Sequence, residues 1–229
     1  MSSDSWPPAS GLTTKVVPRK DAVLQVYSSR RIAAPASLVL ETLLHIENYK
    51  SWNTWIPSGR IAKQDDSVDD NNKDGASHEV DLSRMRKNSV MVFDVIMDAN
   101  KPDKFSETNL IVTDISTPEQ PSDYLDAEML QDPSFDGDVH KVYRVSWATH
   151  GGWMTKGLRS ERFHEIIPTT DNECEVRTWE IMGGVLAYTV KWMFQSTLQE
   201  KFELWTNDLK VWCEKQHQQH PQQTAGNNP

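Results

Sequence analysis

The sequence predicts an α+β domain in which a curved antiparallel sheet of about six or seven strands wraps around one long C-terminal helix. Three observations predict it: short alternating segments follow one another through the middle of the chain, a helical apolar stripe closes it, and no internal repeat divides it. Consecutive strands joined by short turns favour antiparallel pairing. A chain of 229 residues can bury a sizeable core, and we expect one domain over residues 21–215.

The first part of this domain is predicted to be one strand followed by two short helices. Residues 22–34 alternate and are rich in β-branched side chains, as is typical of a strand. Pro35 then occupies the first-turn position of a helix with an apolar face. The second short helix carries Tyr49, Trp52 and Trp55 at three-residue spacing. We interpret Trp52 as an anchor of the fold and Trp55 as a residue at the mouth of a pocket.

The rest of the domain is predicted to be six strands and the long helix. The strands are expected at the segments GRIAKQ, SVMVFDVIMDA, SETNLIVTDIST, KVYRVSWAT, RSERFHEIIP and ECEVRTWEIMGG. The helix is expected from Val185 to about Glu214, because apolar residues recur there at spacings of three and four. Such a helix is roughly 40 Å long. Its single apolar stripe cannot fill a strongly curved sheet, so either a cavity remains or the short helices plug one end.

Four segments are expected to lie outside the packed domain. Residues 1–20 are predicted to form a flexible N-terminal arm and residues 216–229 a disordered polar tail, since neither shows apolar periodicity. Two acidic insertions, near 65–88 and 118–138, are expected to form solvated loops or a lid. The first insertion lacks the regular oxygen-ligand spacing of a calcium loop closed by a Glu, which disfavours a calcium site.

Composition and motifs exclude several classes of function. The net charge of −9 argues against binding to nucleic acid or to an anionic membrane surface. With two cysteines, no apolar run near the start and no segment long enough to span a membrane, we expect a cytoplasmic protein. No zinc-protease, phosphate-loop, dinucleotide or nucleophile-elbow motif is present, so we expect neither a metal nor a cofactor. The oligomeric state is left open.

Two longer segments resemble the START/polyketide-cyclase superfamily, also called SRPBCC or helix-grip proteins. The segment SSRRIAAPASLVLETLLHIENYKSWNTWIP is similar to the family's strand, Ala-Pro, helix and Tyr-x-x-Trp-Asn sequence. The segment RFHEIIPTTDNECEVRTWEIMGG is similar to its closing hairpin, which ends in a Glu and a Gly before the long helix. The resemblance covers roughly residues 22–214 and implies a helix-grip fold around a ligand cavity. Both acidic insertions are longer than is usual in the family.

The closing hairpin supplies the candidate catalytic residues. Alternation places Arg162 and His164 on one face of their strand, and the resemblance implies that this face and Glu180 look into the cavity. A partly desolvated carboxylate beside an imidazole can tune proton transfer toward neutral pH. In this hypothesis His164 is the general acid or base, Glu180 orients it and Arg162 holds an oxyanion. The alternative is a buried ion pair between Arg162 and Glu180 that only holds the strands together.

Aromatic and apolar side chains supply the candidate ligand-binding residues. An apolar pocket with a few polar groups suits a hydrophobic small molecule, and part of the candidate set is expected to be plain core. The candidates are Trp55, Phe93, Val95, Tyr143, Trp147, Tyr188 and Trp192.

Three functions remain open at this point. The first is a pocket protein for a polyketide-like or aromatic molecule in specialised-metabolite biosynthesis, with or without catalysis of a cyclisation, dehydration or isomerisation. The second is a non-catalytic carrier of a lipid, sterol or quinone. The third is a scaffold whose acidic loops bind a basic partner.

Overall fold

A computed structural model describes residues 6–64, 81–98, 100–152 and 154–219 of the chain. Seven antiparallel strands form one sheet in the order β1-β7-β6-β5-β4-β3-β2, with β1 and β2 at its edges. The predicted fold class is confirmed, including the short helices after the first strand and the long helix at the end. The strands are β1 Ala22–Ile32, β2 Ser58–Lys63, β3 Val90–Val95, β4 Ser106–Ser116, β5 Tyr143–Thr149, β6 Arg159–Thr170 and β7 Glu173–Gly183. The α-helices are α1 Ala36–Leu44 and α2 Val185–Gln219, and 3₁₀ turns lie at Arg19–Asp21, Ile46–Ser51, Met129–Gln131 and Met154–Lys156.

Helix α2 is longer than predicted and packs through its second half. It has 35 residues, which makes it roughly 52 Å long. Its last turn continues past 215 because Lys and Gln form helix readily and no Gly or Pro interrupts the segment before 219. Residues 216–219 of the predicted tail are therefore helical, and residues 220–229 lie outside the described residues. Apart from Ala187, every buried residue of α2 lies at or after Leu198.

An aromatic cluster joins the short helical segment to α2. The rings of Tyr49 and Trp52 lie 5.6 and 5.2 Å from the ring of Trp205, and 5.0 Å from each other. The Tyr49 hydroxyl donates a hydrogen bond of 2.7 Å to the Leu43 carbonyl. Edge-to-face packing of this kind adds to the stability from burial alone. Trp52 is therefore a core residue that fixes the segment against α2, as the sequence predicts.

The other face of the sheet, turned away from α2, is also covered. Large apolar side chains of β6 and β7, among them Phe163 and Trp179, form a second core with Leu12, Val17 and Phe135. Leu12 and Val17 are fully buried, so the prediction of a flexible arm does not hold for residues 6–20. The physical reason is that Phe163 and Trp179 point away from α2 and require a cover of their own.

The second acidic insertion takes part in this cover. Leu125 and Phe135 are buried against the outer face, and the Ser134 hydroxyl accepts a hydrogen bond of 2.9 Å from the Thr13 amide. The part of the insertion near 118–138 is thus a packed layer on the side of the sheet opposite α2. Residues 65–80, which make up most of the first insertion, lie outside the described residues.

A buried carboxylate of β6 pins both covering segments. Glu161 is fully buried and accepts hydrogen bonds from the Val16 amide (3.1 Å), the Thr113 hydroxyl (2.8 Å) and the Tyr124 hydroxyl (2.9 Å). Burial raises the pKa of Glu161, and these hydrogen bonds oppose the shift. Because its partners come from the arm, the sheet and the insertion, Glu161 holds three segments together.

A second buried carboxylate on the same face has a cationic partner. Glu165 and Arg144 are both fully buried, and the Arg144 Nε donates a hydrogen bond of 2.8 Å to the carboxylate. The Asp136 amide donates another at 3.0 Å. This pair is a closed ion pair that ties the insertion to β5 and β6, with its charges compensated inside the protein.

Candidate functional site

A cavity of about 530 Å³ lies between the sheet and the first half of α2. Its volume falls in the range that small-molecule pockets occupy. The single apolar stripe of α2 does not fill the curve of the sheet, so the cavity expected from the sequence is present. Its lining residues are Trp55, Ile56, Phe93, Val95, Met97, Ser106, Glu107, Thr108, Asn109, Leu110, Trp147, Thr149, His150, Gly151, Gly152, Thr155, Leu158, Ser160, Arg162, Glu180, Met182, Val190, Phe194 and Leu198.

Arg162 is the buried cation of this cavity. It lies on β6, is 2% exposed, and its guanidinium carbon is 4.1 Å from the Phe202 ring centroid and 4.4 Å from that of Trp205. Its Nε donates a long hydrogen bond of 3.3 Å to the Thr178 hydroxyl. Its Nη2 has no hydrogen-bond partner among the described residues. Burial lowers the pKa of Arg162 to about 10, so the side chain remains charged at neutral pH.

Glu180 faces Arg162 from the neighbouring strand. The two residues are directly paired in the register of β6 and β7, and both line the cavity. In the described structure they form no ion pair within 4.0 Å. Burial raises the pKa of Glu180, while the Arg162 charge and a hydrogen bond with Ser160 oppose the shift. The closed ion pair that was the alternative from the sequence is therefore not the arrangement that the structure has.

His164 does not line the cavity, contrary to its predicted position beside Arg162 and Glu180. It is fully buried, with its ring 4.6 Å from the Trp147 ring and 5.6 Å from that of Trp205. Neither ring nitrogen has a hydrogen-bond partner within the described part of the chain. Burial and the Arg162 charge hold the pKa of His164 well below its ordinary value. Alternation correctly predicts that His164 shares a strand face with Arg162. His164 lies two residues further along β6, however, where the Trp147 ring packs between it and the cavity.

Four of the seven predicted ligand-binding residues line the cavity: Trp55, Phe93, Val95 and Trp147. Trp55 is 4% exposed and belongs to the cavity wall, where the Arg162 guanidinium lies 5.1 Å from its ring. The remaining three lie elsewhere, one at the start of β5 and two on the exposed face of α2.

Tyr143, Tyr188 and Trp192 lie away from the cavity. Tyr143 pairs with Ile166 on β6, beyond the buried His164, and packs against the core. Tyr188 and Trp192 are 66% and 85% exposed, on the side of α2 opposite its cavity-lining residues. The apolar stripe of α2 signals this, because Tyr188 and Trp192 are not members of it.

Some lining residues could have been found from the same patterns. Ser160 precedes Arg162 by two residues and Met182 follows Glu180 by two, so alternation places both on the cavity face. The stripe of α2 likewise supplies Val190, Phe194 and Leu198 to the lining. Residues 150–152 at the turn after β5 also line the cavity, with Gly151 and Gly152 at φ of 65° and 72°. Their contribution depends on the path of a turn, which strand periodicity does not describe.

Neither a metal site nor a membrane-spanning helix is found among the residues that the structure describes. Within them no group of three or more His, Cys, Asp or Glu side chains is arranged to hold a metal ion. No helix among these residues is long and apolar enough to cross a membrane. Cys174 and Cys213 are both buried and free.

The chain shares its fold with solved structures that include a START superfamily protein and an aromatase/cyclase, in agreement with the helix-grip fold that the resemblance implies. No family model matches the chain. A START superfamily protein from Mycobacterium smegmatis is 13% identical, with a TM-score of 0.53 over 84% of this chain and 98% of the other. The Zhui aromatase/cyclase from Streptomyces sp. R1128 is 9% identical, with a TM-score of 0.53 over 89% and 98%. A hypothetical protein from Helicobacter pylori reaches a TM-score of 0.57 at 10% identity over 88% and 98%.

One curated relative resembles the chain in sequence along nearly its whole length. It is the oxopyrrolidines biosynthesis cluster protein O of Penicillium oxalicum (strain 114-2), 24% identical over 220 residues. The alignment covers 91% of this chain and 95% of the relative.

Proposed function

We propose that this protein binds a hydrophobic, aromatic or polyketide-like small molecule and serves in specialised-metabolite biosynthesis. The observation that carries the proposal is the apolar cavity of about 530 Å³ with Arg162 and Glu180 facing each other in its wall. A pocket of this size with few polar groups is the usual form of a small-molecule site. The name of the Penicillium oxalicum relative, which places that protein in a biosynthesis cluster, supports the metabolic setting.

The apolar wall would bind the body of the ligand. Phe93 and Trp147 lie 5.8 Å apart in an edge-to-face arrangement on the sheet side, and Phe194 faces them from α2. Aromatic walls favour flat apolar ligands, because rings stack on or pack edge-to-face against them. This supports an aromatic or polyketide-like ligand over a flexible acyl lipid; a carrier of a sterol or quinone stays the alternative.

A catalytic step is a second candidate, favoured by the position of Glu180. The other cavity carboxylate, Glu107, is exposed and paired with Arg60 at 2.9 Å. Glu180, which faces Arg162 and whose pKa burial raises, is therefore the cavity carboxylate that we assign as the acid–base group. In an isomerisation it would take a proton from the carbon beside a ligand carbonyl, whose oxygen then carries the electron pair as an enolate near Arg162, and return the proton at another carbon. His164 has no part in this scheme.

Native mass spectrometry with a panel of aromatic, polyketide-like, lipid, sterol and quinone ligands tests the proposal. Val95→Trp places a large ring in the cavity, and we expect it to weaken binding at least about tenfold, because the ligand and the ring would compete for the same space. The matched control is Val211→Trp, the same substitution on an exposed position of α2, which should bind as the wild type does. Equal binding by both variants would contradict the cavity as the site.

The carrier and the enzyme differ in their response to Glu180→Gln. A carrier should bind its ligand within a few-fold of the wild type, and the recovered ligand should be chemically unchanged by the wild-type protein. An enzyme should convert the ligand, and Glu180→Gln should lower that conversion by about a hundredfold or more, the usual contribution of general acid–base catalysis. Conversion at the wild-type rate by the variant would contradict the catalytic scheme.

A further inference from the structure

We propose that the ligand carries an oxygen anion, a carboxylate or the enolate of an acidic enol, and that this group binds the Arg162 guanidinium at the inner end of the cavity. The proposal rests on the proposed function and adds the chemical class and the orientation of the ligand. Its starting point is the difference between two buried arginines of this chain.

Arg144 and Arg162 are both almost fully buried but are compensated differently. Arg144 has a carboxylate of its own, since its Nε donates to Glu165 at 2.8 Å with both side chains fully buried. Arg162 has no carboxylate within 4.0 Å in the described structure: its Nε donates only to the neutral Thr178 hydroxyl at 3.3 Å, and Glu180, opposite it on β7, acts on it only through its charge. Each arginine also has one Nη atom with no hydrogen-bond partner among the described residues, so the difference between them is the bound carboxylate. A buried cation that no carboxylate binds directly is unfavourable, so an oxygen anion of a ligand in the cavity would complete the hydrogen bonding of Arg162.

The surroundings of Arg162 leave room for such a partner in one direction. Phe202 and Trp205 cover its guanidinium on the core side and are themselves fully buried. The remaining side belongs to the cavity wall. The hydrogen bond to Thr178 is longer than the usual 2.7 to 3.2 Å and therefore weak. A small rotation of the guanidinium toward a ligand oxygen would cost little hydrogen-bond energy.

The remaining lining gives an anion no competing site in the described part of the cavity. Arg162 is the sole Lys or Arg among the lining residues. Glu180, directly opposite, has a raised pKa, and its protonated form would offer the ligand a hydrogen-bond donor in place of a repelling charge. The exposed residues Glu107 and His150 lie at the other, outer end of the cavity. The anion therefore points inward and the apolar body points toward the opening.

The chemistry that suits this site is a delocalised oxygen anion on a flat apolar body. Carboxylates and enolates of 1,3-dicarbonyl compounds both present such an oxygen, and a guanidinium binds either through charge-assisted hydrogen bonds. Each such bond contributes more than a neutral one, and the dry, aromatic surroundings strengthen it.

Isothermal titration calorimetry with matched probes tests the inference at neutral pH. The pairs are 2-naphthoate with 2-naphthalenemethanol, and 4-hydroxycoumarin, an acidic enol, with coumarin. We expect the wild type to bind one or both acids about tenfold to a hundredfold more tightly than their neutral partners. Arg162→Met should remove this preference and keep the affinity for the neutral probes within a few-fold. Preference for the naphthoate alone would indicate a carboxylate ligand, and preference for the hydroxycoumarin alone an enolate.

The outcomes separate the inference from the proposed function. Equal affinity of the wild type for acid and neutral partners would overturn the anion inference and leave the apolar pocket standing. Binding of no probe would overturn both. An acid preference that survives unchanged in Arg162→Met would overturn the role of Arg162. The wild-type ratio requires no variant, so a misfolded Arg162→Met would still leave the central comparison decisive.

Discussion

Replacing Arg162 by methionine should leave the unliganded protein about as stable as the wild type, although it deletes a buried charge. The matched variant is Arg144→Met, which deletes the other buried arginine. The two differ in one respect: Arg144 is bound to Glu165 at 2.8 Å, whereas Arg162 forms no ion pair with Glu180 within 4.0 Å in the described structure.

The magnitude follows from what each arginine contributes. Arg162 gains about 1 kcal/mol from its long hydrogen bond to Thr178 and about 2 kcal/mol from the rings of Phe202 and Trp205. Against this stands the desolvation of a cation, several kcal/mol in real proteins. Methionine fills the same space without that penalty, so we expect a change within about 1 kcal/mol in the free energy of unfolding. Arg144→Met leaves Glu165 buried with the Asp136 amide but without its cation, and should lose about 3–5 kcal/mol.

Urea unfolding followed by circular dichroism and by fluorescence measures both variants, and agreement of the two probes establishes that unfolding is two-state. A loss of about 3–5 kcal/mol in Arg162→Met, equal to that in Arg144→Met, would refute the reasoning. It would mean that Arg162 and Glu180 form a structural ion pair in solution.

Two further predictions concern the outer layer. Leu12→Ala should lower the free energy of unfolding by about 2–5 kcal/mol in the same urea assay, because Leu12 is fully buried; no loss would mean that the arm is not packed. The pKa of Glu161 is raised in the folded protein, so its contribution to stability is fully present below the unfolded value near 4.5 and is lost as pH rises through the folded value. Glu161→Gln keeps a neutral group able to bond Val16, Thr113 and Tyr124, and should flatten the fall in stability above that pH; a slope equal to that of the wild type would contradict this.

The fold could be predicted largely from the sequence because its periodicities are local. Strand alternation in β1 and β4 to β7 and the apolar stripe of α2 each follow from the face that one element buries. The outer layer could not be predicted in the same way. Leu12, Val17 and Phe135 are isolated apolar residues in polar segments, and only the assembled sheet, with Phe163 and Trp179 facing outward, gives them a partner.

The sequence predicts which strand face the candidate site residues occupy, but not which of their side chains reach the cavity. Alternation places Arg162 and His164 on one face of their strand, and the resemblance implies that this face and Glu180 look inward, yet the structure brings only Arg162 and Glu180 to the cavity. His164 is separated from it because Trp147 and Trp205 pack over its ring. Which side chain reaches a cavity depends on how far along the strand α2 makes contact, and that contact is set by tertiary packing.

A crystal structure of the protein with bound 2-naphthoate would test the central claim most directly. We predict naphthalene density in the cavity between Phe93, Trp147 and Phe194, with the carboxylate within hydrogen-bond distance of the Arg162 guanidinium. Density on the outer surface of α2 beside Tyr188 and Trp192, with the cavity empty, would contradict it.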